Sequence, residues 1–219
     1  MMEIRLLFLT CALSSLQTQS ASIGSSNVLD FVNLFIGSVN GGHTFPGATV
    51  PHGMVKVGMD TDSPGNHAGY DGDPQYNVTG FSQMHQEGTG GAVPLSNFKL
   101  FPILNCTIFE QCLTTIDSRK IKRKLLPDGS PDDNAVPGYF STNLSNSIRV
   151  ELAATRRTAL HRYTFPPEST TPRILVDVTN DGQVSGIDPE LTIDPDTGRI
   201  MGKYRFISIQ ILNLLTSYN

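Results

Sequence analysis

Apolar and polar residues alternate with the two-residue period of β-strands over much of the second half of the chain. Ile148, Val150 and Leu152 share one face and Arg149, Glu151 and Ala153 the other, which predicts a strand over 147–154. His161, Tyr163 and Phe165 oppose Leu160, Arg162 and Thr164 in the same way over 158–165. Arg173 to Val178 (RILVDV) is nearly continuously apolar, the pattern of a strand covered on both faces. Phe98 to Leu104 is apolar but contains Pro102, which cannot donate to a ladder and predicts an edge or bulged strand. Asp30 to Ile36 is compatible with one turn of helix or with a first strand. Pro-Gly, Asn-Asp-Gly and Asp-Thr-Gly separate these runs and favour turns. Short strands at this spacing predict a mostly β fold, an antiparallel β-sandwich.

The two ends and the early middle depart from that pattern. Leu6 to Leu16 is mainly apolar and is followed by small and polar residues, the layout of a secretory signal peptide over 1–21 with cleavage near Ala21. A bilayer span needs about 20 apolar residues, so the expectation is a secreted chain with no membrane partner. Between Gly37 and Gly91, Gly, Pro, Asn, Asp and His dominate. Such stretches inside a domain form ordered functional loops on a rigid scaffold. Phe206 to Leu215 (FISIQILNLL) is strongly apolar and nearly terminal. It reads either as a last core strand or as the end of a truncated chain. A sticky edge templates aggregation, which favours truncation. The expected layout is therefore a domain over 22–202, incomplete at its C-terminal end, and an atypical apolar tail over 203–219.

Charge and cysteines narrow the partners. The net charge of −4 argues against a nucleic-acid partner. Arg119 to Lys124 (RKIKRK) is the local exception; in an exported protein it reads as a solvated loop, open to a dibasic-cutting protease at Lys122-Arg123. Asn77, Asn105 and Asn143 each begin an N-glycosylation sequon. Cys11 leaves with the signal, and Cys106 and Cys112 remain. In an oxidising compartment they most simply form a disulfide, worth roughly 2 kcal/mol for so small a loop. Two separate buried thiols are the alternative, and a metal site lacks a second ligand pair.

Two segments are more specific: Gly41 to Met54 (GGHTFPGATVPHGM) and Gly80 to Gly91 (GFSQMHQEGTGG). With Asn33 to Gly37 (NLFIG) before them and Ala68-Gly69-Tyr70 between, they closely resemble the N-terminal domain of glycoside hydrolase family 92. The order also matches downstream, through Pro137 to Phe140, RVELAATRRTALHRYTFP, RILVDVTN and the turn at Asp196 to Gly202. Members of that family are secreted, calcium-dependent exo-α-mannosidases that invert at the anomeric carbon. The resemblance implies a β-sandwich packed on a helical (α/α) catalytic domain, with the glycine-rich loops lining the sugar site. It also implies α-mannoside glycans as substrates and calcium as cofactor. The catalytic acid and base and the main calcium ligands are expected on the helical domain, so no catalytic residue or metal ligand is assigned to this chain.

Inverting hydrolysis needs a protonated carboxyl and a carboxylate about 6.5–9.5 Å apart. Asp60, Asp62, Asp71, Asp73 and Glu87 lie in the loop region, but each Asp sits in a turn where it commonly caps backbone N–H groups. Glu87, between His85 and Gly88, is the least easily explained that way. His43 and His85 sit in the two motifs and suit hydrogen bonding to sugar hydroxyls, or else capping of the loops. His52 and His67 have weaker claims, His161 reads as a strand residue, and a zinc site on His43 and His85 matches no ligand spacing. The chain has no Trp, so Tyr70 is the candidate for a sugar's apolar face. Gln83 stands where the family often has a second histidine. The substrate-binding candidates are thus His43, Tyr70, His85 and Glu87. A stand-alone carbohydrate-binding module and a non-functional gene-model fragment are the readings left open beside it.

Overall fold

The computed structural model describes residues 28–65, 68–85, 96–178 and 186–206. The expected signal peptide over 1–21, His67, Glu87 and the tail from 207 onward lie outside the described residues. Strands β1 (Gly58–Thr61), β2 (Val78–His85), β3 (Ser96–Ile103) and β8 (Arg173–Asp177) form one sheet in the order β1-β2-β3-β8. Strands β4 (Asp133–Val136), β5 (Tyr139–Asn143), β6 (Arg149–Ala154) and β7 (Ala159–Thr164) form a second, in sequence order. Strands β9 (Gly186–Asp194) and β10 (Arg199–Phe206) pair as a hairpin. Every pairing is antiparallel, and neither four-stranded sheet closes into a barrel.

The sheets share one core. Met59, Val78 and Phe81 from the first, with Val57 just before β1, meet Ala135, Phe140, Val150 and Leu152 from the second, all buried. The alternation along β6 and β7 is the cause. Val150 and Leu152 point inward while the opposite positions carry Arg149 and Glu151, and an antiparallel sheet with one covered face needs that period. The result is the antiparallel sandwich. A 3-10 helix at Val28–Phe31 runs into further turns, so Asp30 to Ile36 holds the end of a helical turn and no strand.

Three local expectations are corrected. β8 is half-exposed, not covered on both faces, and among the described residues it lies at the edge of its sheet. β3 is an interior strand despite Pro102. Its pairing with β2 ends at Leu100, so the proline's missing N–H costs no bond there, and only β8 accompanies the last residues. Phe98 has φ 59° and interrupts the strand locally. The basic run is not a solvated loop. It crosses from one sheet to the other by isolated bridges, Val78 to Ile121 and Arg123 to Leu144. Arg119 and Arg123 turn inward and are buried, whereas Lys120, Lys122 and Lys124 face solvent. Cys106 and Cys112 form a disulfide with Cα atoms 5.5 Å apart.

His161 lies on the inner face of β7, with Nδ1 3.0 Å from the Tyr163 hydroxyl and a buried Nε2 that has no partner among the described residues. Burial pushes its pKa down from 6.5 to about 4. The unfolded chain therefore takes up a proton as pH falls through 6.5, while the folded chain does not until near 4. Stability is present above that window and is lost across it, by up to about 3 kcal/mol. Thermal melts between pH 7 and 4 are expected to show this slope, and His161→Gln to flatten it. An unchanged slope in the variant would assign the acid sensitivity to other groups.

Candidate functional site

The first sheet gathers four polar side chains where the two motifs meet. Register places Ser82 of β2 opposite Lys99 of β3, and Asp60 of β1 opposite Gly80. Asp60 Oδ2 accepts from the Ser82 hydroxyl at 2.5 Å and lies 3.2 Å from Lys99 Nζ. Its Oδ1 lies 2.8 Å from His85 Nε2, and His85 Nδ1 lies 2.9 Å from the Lys56 carbonyl. A carboxylate and a main-chain carbonyl thus hold the two ring nitrogens and fix the plane of the imidazole. Asp60, Ser82, His85 and Lys99 are all buried. Burial alone would raise the Asp60 carboxyl, but Lys99, His85 and Ser82 outweigh it and hold it far below the usual carboxylate range.

This cluster clamps the loops. The Phe45 ring of the first motif lies 4.6 Å from the His85 ring of the second. A Cβ on Gly58 would fall 2.5 Å from Phe45, and one on Gly69 (φ +92°) 2.7 Å from His85 Cδ2. Glycine at both positions is what permits the close approach. The other loop carboxylates are also engaged. Asp62 accepts from the Asn77 N–H at 2.7 Å and from Asn77 Nδ2 at 2.8 Å. Asp71 accepts from Ser63 at 2.6 Å and from the Asp73 N–H at 2.9 Å, and Asp73 caps Gln75 at 2.9 Å. All four aspartates thus serve loop structure.

The sequence candidates fall into separate networks. His85 belongs to the clamp. Tyr70 is buried beside Phe35 and Phe140, donates to Asp133 Oδ2 at 2.8 Å, and lies under the Arg123 guanidinium. Burial, then Asp133, raise the phenol, so it remains a donor. His43 is half-buried at φ 57° in the loop that begins the first motif. His52 is exposed, beside an open depression of about 500 Å³. Sequence reasoning missed Lys99 and the Arg123–Asp133 pair (2.8 Å). A lysine inside the apolar run FKLFPIL was the available signal for a buried counter-charge.

No group of three or more His, Cys, Asp or Glu side chains among the described residues could hold a cation. Asp60, the most buried loop carboxylate, is already matched by Lys99. The described residues do not fit a calcium site.

Residues 31–215 match the model of the glycosyl hydrolase family 92 N-terminal domain. Over 201 residues the chain is 35% identical to an uncharacterized secreted glycosidase of Arthroderma benhamiae, covering 89% of this chain and 25% of that protein. A family GH92 α-mannosidase of Bacteroides thetaiotaomicron superposes with TM-score 0.57 and 26% identity, over 69% of this chain and 20% of that one. The family GH92 glycosyl hydrolase ccman5 superposes with TM-score 0.67 over 82% of this chain and 24% of that one; at 23% identity it speaks to the fold. The chain spans about a fifth to a quarter of the length of these relatives. No helix among the described residues is long and apolar enough to cross a membrane.

Proposed function

The chain belongs to glycosyl hydrolase family 92, as its N-terminal domain, and from that premise we propose that it lines the sugar site of a secreted α-mannosidase acting on N-glycans or mannans. The observation that carries this reading is the convergence of both glycine-rich motifs on the Asp60 clamp, where Phe45 meets His85. A buried ion network holding two polar loops on a rigid sheet is how a scaffold presents hydroxyl-binding groups at a fixed distance. In this reading His43 and Glu87 are the glycan-binding residues and His85 is a positioning residue, because both its ring nitrogens are already bonded. The reaction's acid and base, and the calcium ligands, come from a helical catalytic domain. Asp60 suits neither acid nor base: its carboxyl is ionised and its oxygens are occupied.

The test follows the full chain by NMR during titration with an α-1,2-linked mannobiose, and in parallel assays release of mannose. Expected are shifts across the first motif that His43→Ala abolishes at its other residues, and no calcium-dependent turnover. A titration without shifts in the first motif would remove the sugar-lining role. Measurable hydrolysis would show that this domain carries its own acid and base.

A further inference from the structure

We infer that Asn105 is the one of the three sequons that carries an N-linked glycan, and that Asn77 and Asn143 are left bare. The inference rests on the export proposed above and adds a modification site to it. The chemistry sets the criterion. The Asn Nδ2 attacks C1 of an oligosaccharide carried on a polyprenyl diphosphate. The N–C1 bond forms as the C1–O bond to phosphate breaks, the diphosphate leaves with the electron pair, and Nδ2 gives up one proton. The carbonyl Oδ1 is untouched. A site tolerates the product when the fold uses Oδ1 and leaves Nδ2 in solvent.

Asn105 meets that criterion. Its Oδ1 accepts from the Thr170 N–H at 2.9 Å and the Thr171 N–H at 3.1 Å, with the Ser169 and Thr170 hydroxyls at 3.4 Å. Its Nδ2 has no partner among the described residues, and both Asn105 and the sequon's Thr107 are exposed. Asn77 and Asn143 use the other atom. Asn77 Nδ2 donates to Asp62 Oδ2 at 2.8 Å, and Asn143 Nδ2 to Asp132 Oδ2 at 2.9 Å. Both are only partly exposed, and Thr79 of the first of these sequons is buried on β2. A glycan on either nitrogen has to share it with a carboxylate that the fold already binds.

The site also places the glycan beside β8, the last strand of its sheet among the described residues. The turn that Asn105 caps leads directly into β8, the edge strand of its sheet. Beside it stand the exposed Phe109 (70%) and Ile174 (40%), lining a groove of about 250 Å³ with Thr107. A bulky hydrophilic group there shields an edge that would otherwise template pairing.

The test expresses the full chain in a eukaryotic secretory host, once with its own leader and once behind a heterologous signal peptide, and maps each sequon by mass spectrometry before and after enzymatic deglycosylation. Asn105 is expected to be glycosylated and Asn77 and Asn143 to be unmodified. Thr107→Ala, which abolishes the sequon and leaves the Asn105 carbonyl in place, is expected to lose the whole mobility shift; Ser145→Ala is expected to lose none. An unmodified Asn105 in chain routed by the heterologous signal overturns the inference, as does equal occupancy at Asn77 or Asn143. Failure of export with the native leader alone, with Asn105 glycosylated behind the other, strikes the secretion reading and leaves this one standing.

Discussion

Replacing Asp60 by alanine is expected to lower stability by about 3–5 kcal/mol, because it leaves the buried Lys99 ammonium without its counter-charge and removes the Nε2 partner of His85. Lys99 has 3% of its side chain exposed, so water cannot replace the lost carboxylate without opening the sheet. The effect is one of broken pairing, not of the pair's net worth. Asp60→Leu combined with Lys99→Met is therefore expected to recover part of the loss, since well-packed apolar residues often substitute for a buried pair. Urea unfolding of the three proteins measures this. A loss below about 1 kcal/mol in Asp60→Ala would mean that the clamp is not a closed ion network. The same substitution reads on the loops: with His85 released, the segment from Gly41 to Met54 is expected to become the first site of limited proteolysis.

The strands of the second sheet were legible because one of their faces is covered. Val150 and Leu152 against Arg149 and Glu151 state the period directly. The first sheet was less legible, because its inward positions are not all apolar. Asp60, Ser82 and Lys99 occupy places where a pattern reader expects Val or Ile, and only the register of β1, β2 and β3 shows them to be partners. β8 misled for the opposite reason. An apolar run of strand length looks the same at an edge as at the centre of a sheet, and neighbours decide which it is. The site shows the same limit. His85 was identified by its motif, but its partners stand 25 and 29 residues away and include a main-chain carbonyl, which no side-chain pattern announces. Tyr70, in the loop between β1 and β2, reaches Asp133 of the second sheet across 63 residues. Motif spacing found the loops, whereas the long-range pairs that hold them required the fold.

The basic run gives the second large effect, and it separates two residues that are adjacent in sequence. Arg119 has no exposed side-chain surface. Its NH2 donates to Asp177 at 2.6 Å, its Nε to the Thr79 carbonyl at 3.2 Å and its NH1 to the Thr114 carbonyl at 3.1 Å, with Phe101 beneath the guanidinium at 5.9 Å. One planar fork thus ties β2, β8 and the disulfide-bearing loop together. Arg119→Met keeps most of the volume and loses every one of these bonds, the buried ion pair with Asp177 included; the expected loss is about 3–5 kcal/mol. Arg119→Lys is expected to recover little, because a single ammonium cannot meet three acceptors set in a guanidinium's plane. Lys120 next door pairs with Asp62 and Asp117 from the surface, where solvent screens the contact, and Lys120→Ala is expected to leave the unfolding midpoint unmoved. If Arg119→Met and Lys120→Ala melt together, the run is the solvated loop that its charge suggests. If they separate as expected, Arg119 is part of the frame that ties β2 to β8.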